Sequence, residues 1–322
     1  MPIAPIYAEP VPERPDVPGH IRLFAVLGAW MEADVVEATV RNAKAQGCEQ
    51  VYLVDNDSPD DTVSRACASG AILARTFSTE RYDERLRLRH MNDVMRDVSS
   101  ALADDDAWWL FLDGDEFPHG PSGMTLREYL VTLDRRFRVV GARFFNHYPS
   151  APPHYVTGHH PIDFQPLCEE ISFPMCDKGH RKHPLILYRR DAPQIEADRG
   201  FHLVRSETPL LEPSQPIFLR HFPFREEIVT RRRLDILLTT DRVGKSRADP
   251  SEDSATHMLA RHRSLDAVYR GRWEEVVNFI ALDPAARALV PTSPVGIQLK
   301  NWWEVLEPEH REIVRWYSTS GA

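Results

Sequence analysis

The sequence has little cysteine: four residues in 322, at Cys48, Cys67, Cys168 and Cys176, with no C-x-x-C pair. That excludes a disulfide-stapled scaffold, and a reducing, cytoplasmic setting is the expectation. It lacks any run of about 18 apolar residues, so no membrane span is expected. It lacks a long basic run and carries a net charge of −9, which argues against nucleic acid as the main partner. The N-terminus lacks the charged-then-apolar pattern of a secretion signal. Proline is not scarce. Its 26 residues fall mostly in the first 19 positions and in the middle third, where irregular loops are expected.

What is present is organised around Trp108 to Phe117, WWLFLDGDEF. Five large apolar residues in a row read as a strand buried on both faces. Asp113, Asp115 and Glu116 then stand at its C-terminal end, the edge where open α/β sheets bind ligands. Carboxylates so close repel one another unless a cation sits between them. Hard oxygen ligands on a short turn suit Mg²⁺ or Mn²⁺, completed by water and substrate phosphates. The plainer alternative is a solvated acidic turn after a core strand.

Upstream, Ile21–Leu27 reads as a strand, 32–46 as a helix ended by Gly47, and Val51–Val54 as a second strand. This is a βαβ unit, so the sheet is expected to be parallel here. The second strand stops at Asp55-Asn56-Asp57-Ser58-Pro59-Asp60-Asp61-Thr62. As a capped helix start this turn needs only one or two acidic residues. Placed at the C-terminal edge of the same sheet, Asp55 or Asp57 can instead accept hydrogen bonds from a nucleotide base or ribose. Strands are further expected at 71–74, 139–145, 184–189, 200–204 and 217–221. Helices are expected at 62–69, from the Arg85-x-Arg87-x-Arg89 region to about 103, and at 126–133, 226–240, 255–269 and 308–317. Residues 146–176 read as a long loop region.

The order of strand, D-N-D-S-P-D-D-T turn, helix, and strand closing in L-D-G-D-E-F resembles the family 2 type of glycosyltransferases, with the GT-A fold. The likeness covers about residues 20–225. It implies an α/β fold with a mostly parallel central sheet flanked by helices, and the helical pattern from Phe224 onward adds a helical C-terminal extension. The corresponding division is a flexible proline-rich tail over 1–19, a catalytic domain over 20–224, and a helical extension over 225–322. Residues 20–117 would form the nucleotide-binding half and 118–224 the acceptor half, with long loops. The implied activity is metal-dependent transfer of a sugar from a nucleotide-diphosphate-sugar donor to an unknown acceptor, whether glycan, lipid-linked or small molecule. Mn²⁺ or Mg²⁺ would assist.

By the same resemblance Asp55 or Asp57 would hold the base and ribose. Asp113 and Asp115 would be the D-x-D pair, with Asp115 on the metal. Asp113 would reach ribose, the metal or its bound water. Arg89 would contact the donor, against a solvated basic face for Arg85, Arg87 and Arg89. His202 would be the third metal ligand, with His221 its rival. Lys182 and Arg181 would neutralise the leaving diphosphate. The chain departs from the family in having no Q-x-x-R-W, so the base is open among Asp163, Glu169, Glu170 and Asp177. Asp163, Glu170 and Asp177 are the named candidates.

Cys168, Cys176, His180 and His183 offer a zinc donor set at no standard spacing, with scattered loop residues as the alternative. Trp273, Trp302, Trp303 and Trp316 read as helix packing rather than sugar platforms. A sugar nucleotidyltransferase of the same fold would want a basic glycine-rich loop, whereas the first strand is followed by Gly28-Ala29-Trp30-Met31-Glu32. A non-catalytic sugar- or nucleotide-binding protein is the remaining alternative.

Overall fold

The structure is a computed structural model describing residues 1–10, 21–79, 83–102, 106–149, 156–170, 182–239, 254–272, 275–276 and 300–301. The proline-rich N-terminus was expected to be mobile, yet its described part is docked. Strand β1 (Ile6–Glu9) pairs in parallel with β12 (Leu210–Pro213), and Ala4 is buried with its amide donating to the Val204 carbonyl.

The first half alternates strand and helix. In chain order come β2 (Arg22–Ala29), α1 (Val36–Ala45), β3 (Gln50–Asp55), α2 (Thr62–Ala68), β4 (Ala71–Thr76), α3 (Glu84–Ser100) and β5 (Asp106–Asp113). Strands β4, β3, β2 and β5 lie side by side, all parallel. Their register pairs Gly28 with Asp113 and Ala29 with Asp55, so both acidic turns open at one sheet edge. Leu23, Ala25, Leu27, Leu110 and Leu112 pack on one face, and Phe24, Val26, Trp109 and Phe111 on the other. Burial on both faces explains why β5 reads as an unbroken apolar run.

The second half is strand-rich: β6 (Glu116–His119), α4 (Leu126–Val131), β7 (Val139–Tyr148), β8 (Leu167–Glu170), β9 (Lys182–Arg189), β10 (Ile195–Asp198), β11 (Leu203–Ser206), β12 and β13 (Ile217–His221). Strand β9 lies between β5 and β7, antiparallel to both, and β8 continues the sheet beyond β7. Strand β13 runs parallel to β7 and antiparallel to β6. The molecule is thus a mixed α/β fold whose parallel core is extended by antiparallel strands. The 146–176 region, expected as loop, contributes the end of β7 and all of β8. The expected 200–204 strand is a turn leading into β11.

Helices α5 (Glu227–Thr239) and α6 (Ser254–Tyr269) follow, with the short β14 (Lys300–Asn301) on the outer edge of β8. Leu234, Leu237, Leu265, Val268 and Tyr269 pack with Tyr148 and Phe224, and Trp30 leans on the same cluster. The extension therefore covers the sheet edge carrying the acidic turns. No helix among the described residues is long and apolar enough to cross a membrane. The helix expected at 308–317 and the tryptophans at 273, 302, 303 and 316 lie outside the described residues.

Candidate active site

The helix expected from residue 32 begins only at Val36, because residues 31–34 form part of the site. Met31 takes a left-handed backbone (φ 54°). The turn after β3 then stitches this loop down. The Met31 amide donates to Ser58 Oγ (3.1 Å), and the Glu32 amide donates to Thr62 Oγ1 (2.8 Å). Ser58 donates in turn to Asp55, from its amide (2.9 Å) and hydroxyl (2.6 Å). Asp60 Oδ1 accepts from the Thr62 amide and hydroxyl, so the Ser, Asp and Thr of this motif also hold a neighbouring loop. Asp55 is buried, which pushes its pKa up against the pull of the Ser58 bonds; Asp57 is exposed, with φ 52°.

The second acidic turn is held by α1. Thr39 Oγ1 donates to the Gly114 carbonyl (2.5 Å) and Asn42 Nδ2 to the Pro118 carbonyl (3.1 Å). Just past the end of β13, the Phe222 amide donates to the Asp115 carbonyl (3.0 Å).

The carboxylates of this turn were expected to repel unless a cation intervened. The cations present are side chains. Asp113 accepts from Arg87 Nη1 (2.5 Å) and Lys182 Nζ (3.2 Å), and Lys182 also donates to Glu116. Burial opposes the charge on Asp113, yet Arg87 and Lys182 outweigh it and hold its carboxyl below the usual range. Burial likewise opposes the charge on Lys182, and Glu116 and Asp113 keep the ammonium protonated.

Asp115 faces the other way. Its Oδ2 lies 3.3 Å from Arg225 Nη1, 3.5 Å from His221 Nε2 and 3.8 Å from Arg233 Nη1. Burial alone would raise its pKa; His221, Arg225 and Arg233 together hold it well below the usual range. Arg225 is almost fully buried and also meets Asp34 (2.6 Å) and Glu32 (2.7 Å), while Arg233 pairs with Glu32. Burial pushes Glu32 up, against both arginines. Arg225, Arg233 and Arg261 line a pocket of about 280 Å³ of empty space, with Pro223, Thr230, Leu234 and Leu237.

His221 is set for a particular role. Its Nδ1 lies 2.7 Å from Asn146 Oδ1, and burial lowers its pKa despite the nearby Asp115. A neutral ring donating from Nδ1 to Asn146 presents the Nε2 lone pair to the Asp115 carboxylate. Asp115 and His221 are an oxygen and a nitrogen donor of the kind a divalent cation takes, and the cations that meet them here are Arg225 and Arg233 on Asp115 and Arg261, whose Nη2 lies 3.4 Å from His221 Nε2. An oxygen and a nitrogen donor suit Mn²⁺ or Mg²⁺ whose other positions come from phosphate and water. Among the described residues no group of three or more such donors converges.

Several expected site residues stand elsewhere. His202 lies beside Gly200 and near Glu84, so it is His221 that meets Asp115. Arg89 is exposed, and Arg87 is the arginine of that helix that reaches the turn. Asp113 is turned to Arg87 and Lys182 rather than toward His221. Glu170 is held by Arg143 through two 2.8 Å bonds, and Asp163 is exposed in a 3₁₀ turn. Asp177, Arg181, Cys176 and His180 lie outside the described residues, while His183 pairs with Glu212 (3.3 Å) and Cys168 is buried. Glu32, Asp34, Arg225, Arg233 and Arg261 were missed. The one available signal was that Glu32 and Asp34 follow the end of β2, at the ligand-binding edge.

No protein-family model matches the chain, and no curated protein matches it. Among solved structures it is similar to glucosyl-3-phosphoglycerate synthase from Mycobacterium tuberculosis in complex with Mg²⁺ and uridine diphosphate. That match has 17% identity and a TM-score of 0.27, and covers 44% of this chain and 52% of that one. The chain thus spans about half the length of that relative. A second structure of the same synthase, with Mn²⁺, uridine diphosphate and glucosyl-3-phosphoglycerate, matches at 14% identity and a TM-score of 0.33. It covers 76% of this chain and 89% of that one.

Proposed function

We propose that the protein is a GT-A-type glycosyltransferase that moves a sugar from a nucleotide-diphosphate-sugar donor. The observation that carries this reading is the pairing of Asp115 Oδ2 with His221 Nε2 across 3.5 Å, at the sheet edge shared with the Asp55 turn. That edge is where nucleotides bind in open α/β sheets.

In this reading Asp113, partly exposed and oriented by Arg87 and Lys182, accepts from the ribose hydroxyls. Asp55 and Asn56 close the base end. Asp115 and His221 hold a divalent cation, which when bound neutralises charge developing on the departing diphosphate. Arg233 and Arg261, which line the pocket, offer guanidinium forks that suit phosphate oxygens. Helices α5 and α6 carry these arginines and exclude water from that side.

The test is a panel of nucleotide sugars scored by thermal stabilisation with and without Mn²⁺. One or more donors should raise the melting temperature in a Mn²⁺-dependent way, by about 2.7 kcal/mol of stability at 100 times Kd. A panel that shifts nothing under either condition removes the transferase reading.

A further inference from the structure

Several acidic side chains around the second acidic turn are committed to cations. Glu32 and Asp34 hold Arg225, Asp113 and Glu116 hold Lys182, and Glu170 holds Arg143. Glu169 differs. No cation pairs with it among the described residues, and its partner is the Tyr148 hydroxyl at 3.5 Å.

Its position follows from strand register. Glu169 on β8 is the direct partner of Asn146 on β7, and Asn146 is the direct partner of His221 on β13. Directly paired residues share a sheet face, so His221, Asn146 and Glu169 form one row across three strands. At about 4.8 Å per strand, the Glu169 backbone stands roughly 10 Å from that of His221, a gap one sugar ring spans.

Resting on the transferase reading, we propose that Glu169 is the catalytic base that takes the proton of the acceptor hydroxyl. The acceptor oxygen forms a bond to the anomeric carbon. The bond from that carbon to the diphosphate oxygen breaks, and its electron pair leaves with the nucleoside diphosphate. The acceptor O–H breaks and its proton goes to the Glu169 carboxylate; a single displacement from the face opposite the diphosphate inverts the anomeric configuration. Burial raises the Glu169 pKa to about 7, with the Tyr148 bond acting the other way. A base titrating near neutrality is both ionised and able to hold a proton. Of the charged groups around it, Arg143 on β7 is tied to Glu170, and Arg261 on α6 faces Tyr148 and His221. On the outer side, Lys300 of β14 stands in register with Cys168.

The experiment uses the full chain, with the nucleotide sugar that most stabilises it as donor, Mn²⁺ present, and water as acceptor. Nucleoside diphosphate release is followed for wild type, Glu169→Gln and Glu169→Asp. The Gln variant should lose about 10²–10⁴-fold in kcat while its donor Kd stays within about twofold. The acid limb of the wild-type pH profile should disappear in it. The Asp variant should recover part of the rate and keep an acid limb. A Gln variant releasing product within about threefold of wild type overturns the base assignment alone. Equal loss of donor binding and rate in the Gln variant, with Asp no better, overturns it too. A wild type that binds no donor removes the transferase reading and this assignment with it.

Discussion

His221 Nε2 stands 3.5 Å from Asp115 Oδ2 while its Nδ1 stands 2.7 Å from Asn146 Oδ1, so one ring is anchored at Nδ1 and turned with Nε2 toward the carboxylate. The three residues come from β13, the turn after β5, and β7, brought together by parallel pairing of His221 with Asn146. Asn146 thereby decides which nitrogen carries the proton. Its truncation, Asn146→Ala, should weaken Mn²⁺ binding by about 10–100-fold, read by electron paramagnetic resonance of free Mn²⁺. Unchanged Mn²⁺ affinity would show that the His221 tautomer is not set by this contact.

Asp115→Asn removes the carboxylate charge that Arg225, Arg233 and His221 surround. Were the acidic turn a self-repelling cluster, the change would leave stability unaltered or slightly improved. The interleaved arginines reverse that sign, because two guanidiniums lose a counter-charge in a buried place. Arg225 keeps Glu32 and Asp34, so the expected loss is about 1–3 kcal/mol rather than the larger figure for a stranded buried charge. Denaturant unfolding of the metal-free protein measures it. A variant as stable as wild type would mean the arginines are satisfied without Asp115.

Two glycines separate site from scaffold. A Cβ on Gly114 would lie 2.6 Å from Glu32 Cγ, whereas one on Gly120 would lie 2.5 Å from the Met124 carbonyl oxygen. Glu32 is a side chain and can swing away, which breaks its pairs with Arg225 and Arg233. Gly114→Ala should therefore lower donor-induced stabilisation more than intrinsic stability. Gly120→Ala meets backbone that cannot yield and should cost about 1–3 kcal/mol without altering donor binding in the folded fraction. Paired melting curves with and without donor distinguish the two, and the reverse pattern would refute the assignment of Glu32 to the site.

How much of this was legible can be told residue by residue. The run Trp108–Leu112 and the turns at Asp55 and Asp113 were readable because buried parallel strands are apolar throughout and end at a fixed edge. The charge balance was not readable. Arg225 lies 110 positions from Asp115 and 193 from Glu32, and no local period links them. Strands β8, β10 and β12 escaped, and β11 was expected three residues too early, because each is four residues long, too short for alternation to show. His202 and His221 have equally polar names in sequence; only the pairing of β13 with β7 and β6 turns one of them to Asp115.

The pH dependence of folding provides an activity-independent check on Glu169. Burial raises its pKa from 4.5 to about 7 in the folded protein. The folded state therefore holds a proton on Glu169 that the unfolded state releases between about pH 4.5 and 7. Through that window this carboxyl makes stability fall as pH rises, and above about 7 its contribution is constant and unfavourable. Glu169→Gln keeps the shape and removes the titration. The stability difference, variant minus wild type, should grow in the variant's favour from pH 5 to pH 8 and then level off. Denaturant midpoints at pH 5, 6, 7 and 8 measure it, with Glu170→Gln as the comparison, since Glu170 sits exposed beside Arg143. A flat difference for Glu169→Gln across the four pH values would place its carboxyl in the ordinary range and leave it ionised, too weak a base to take the acceptor proton.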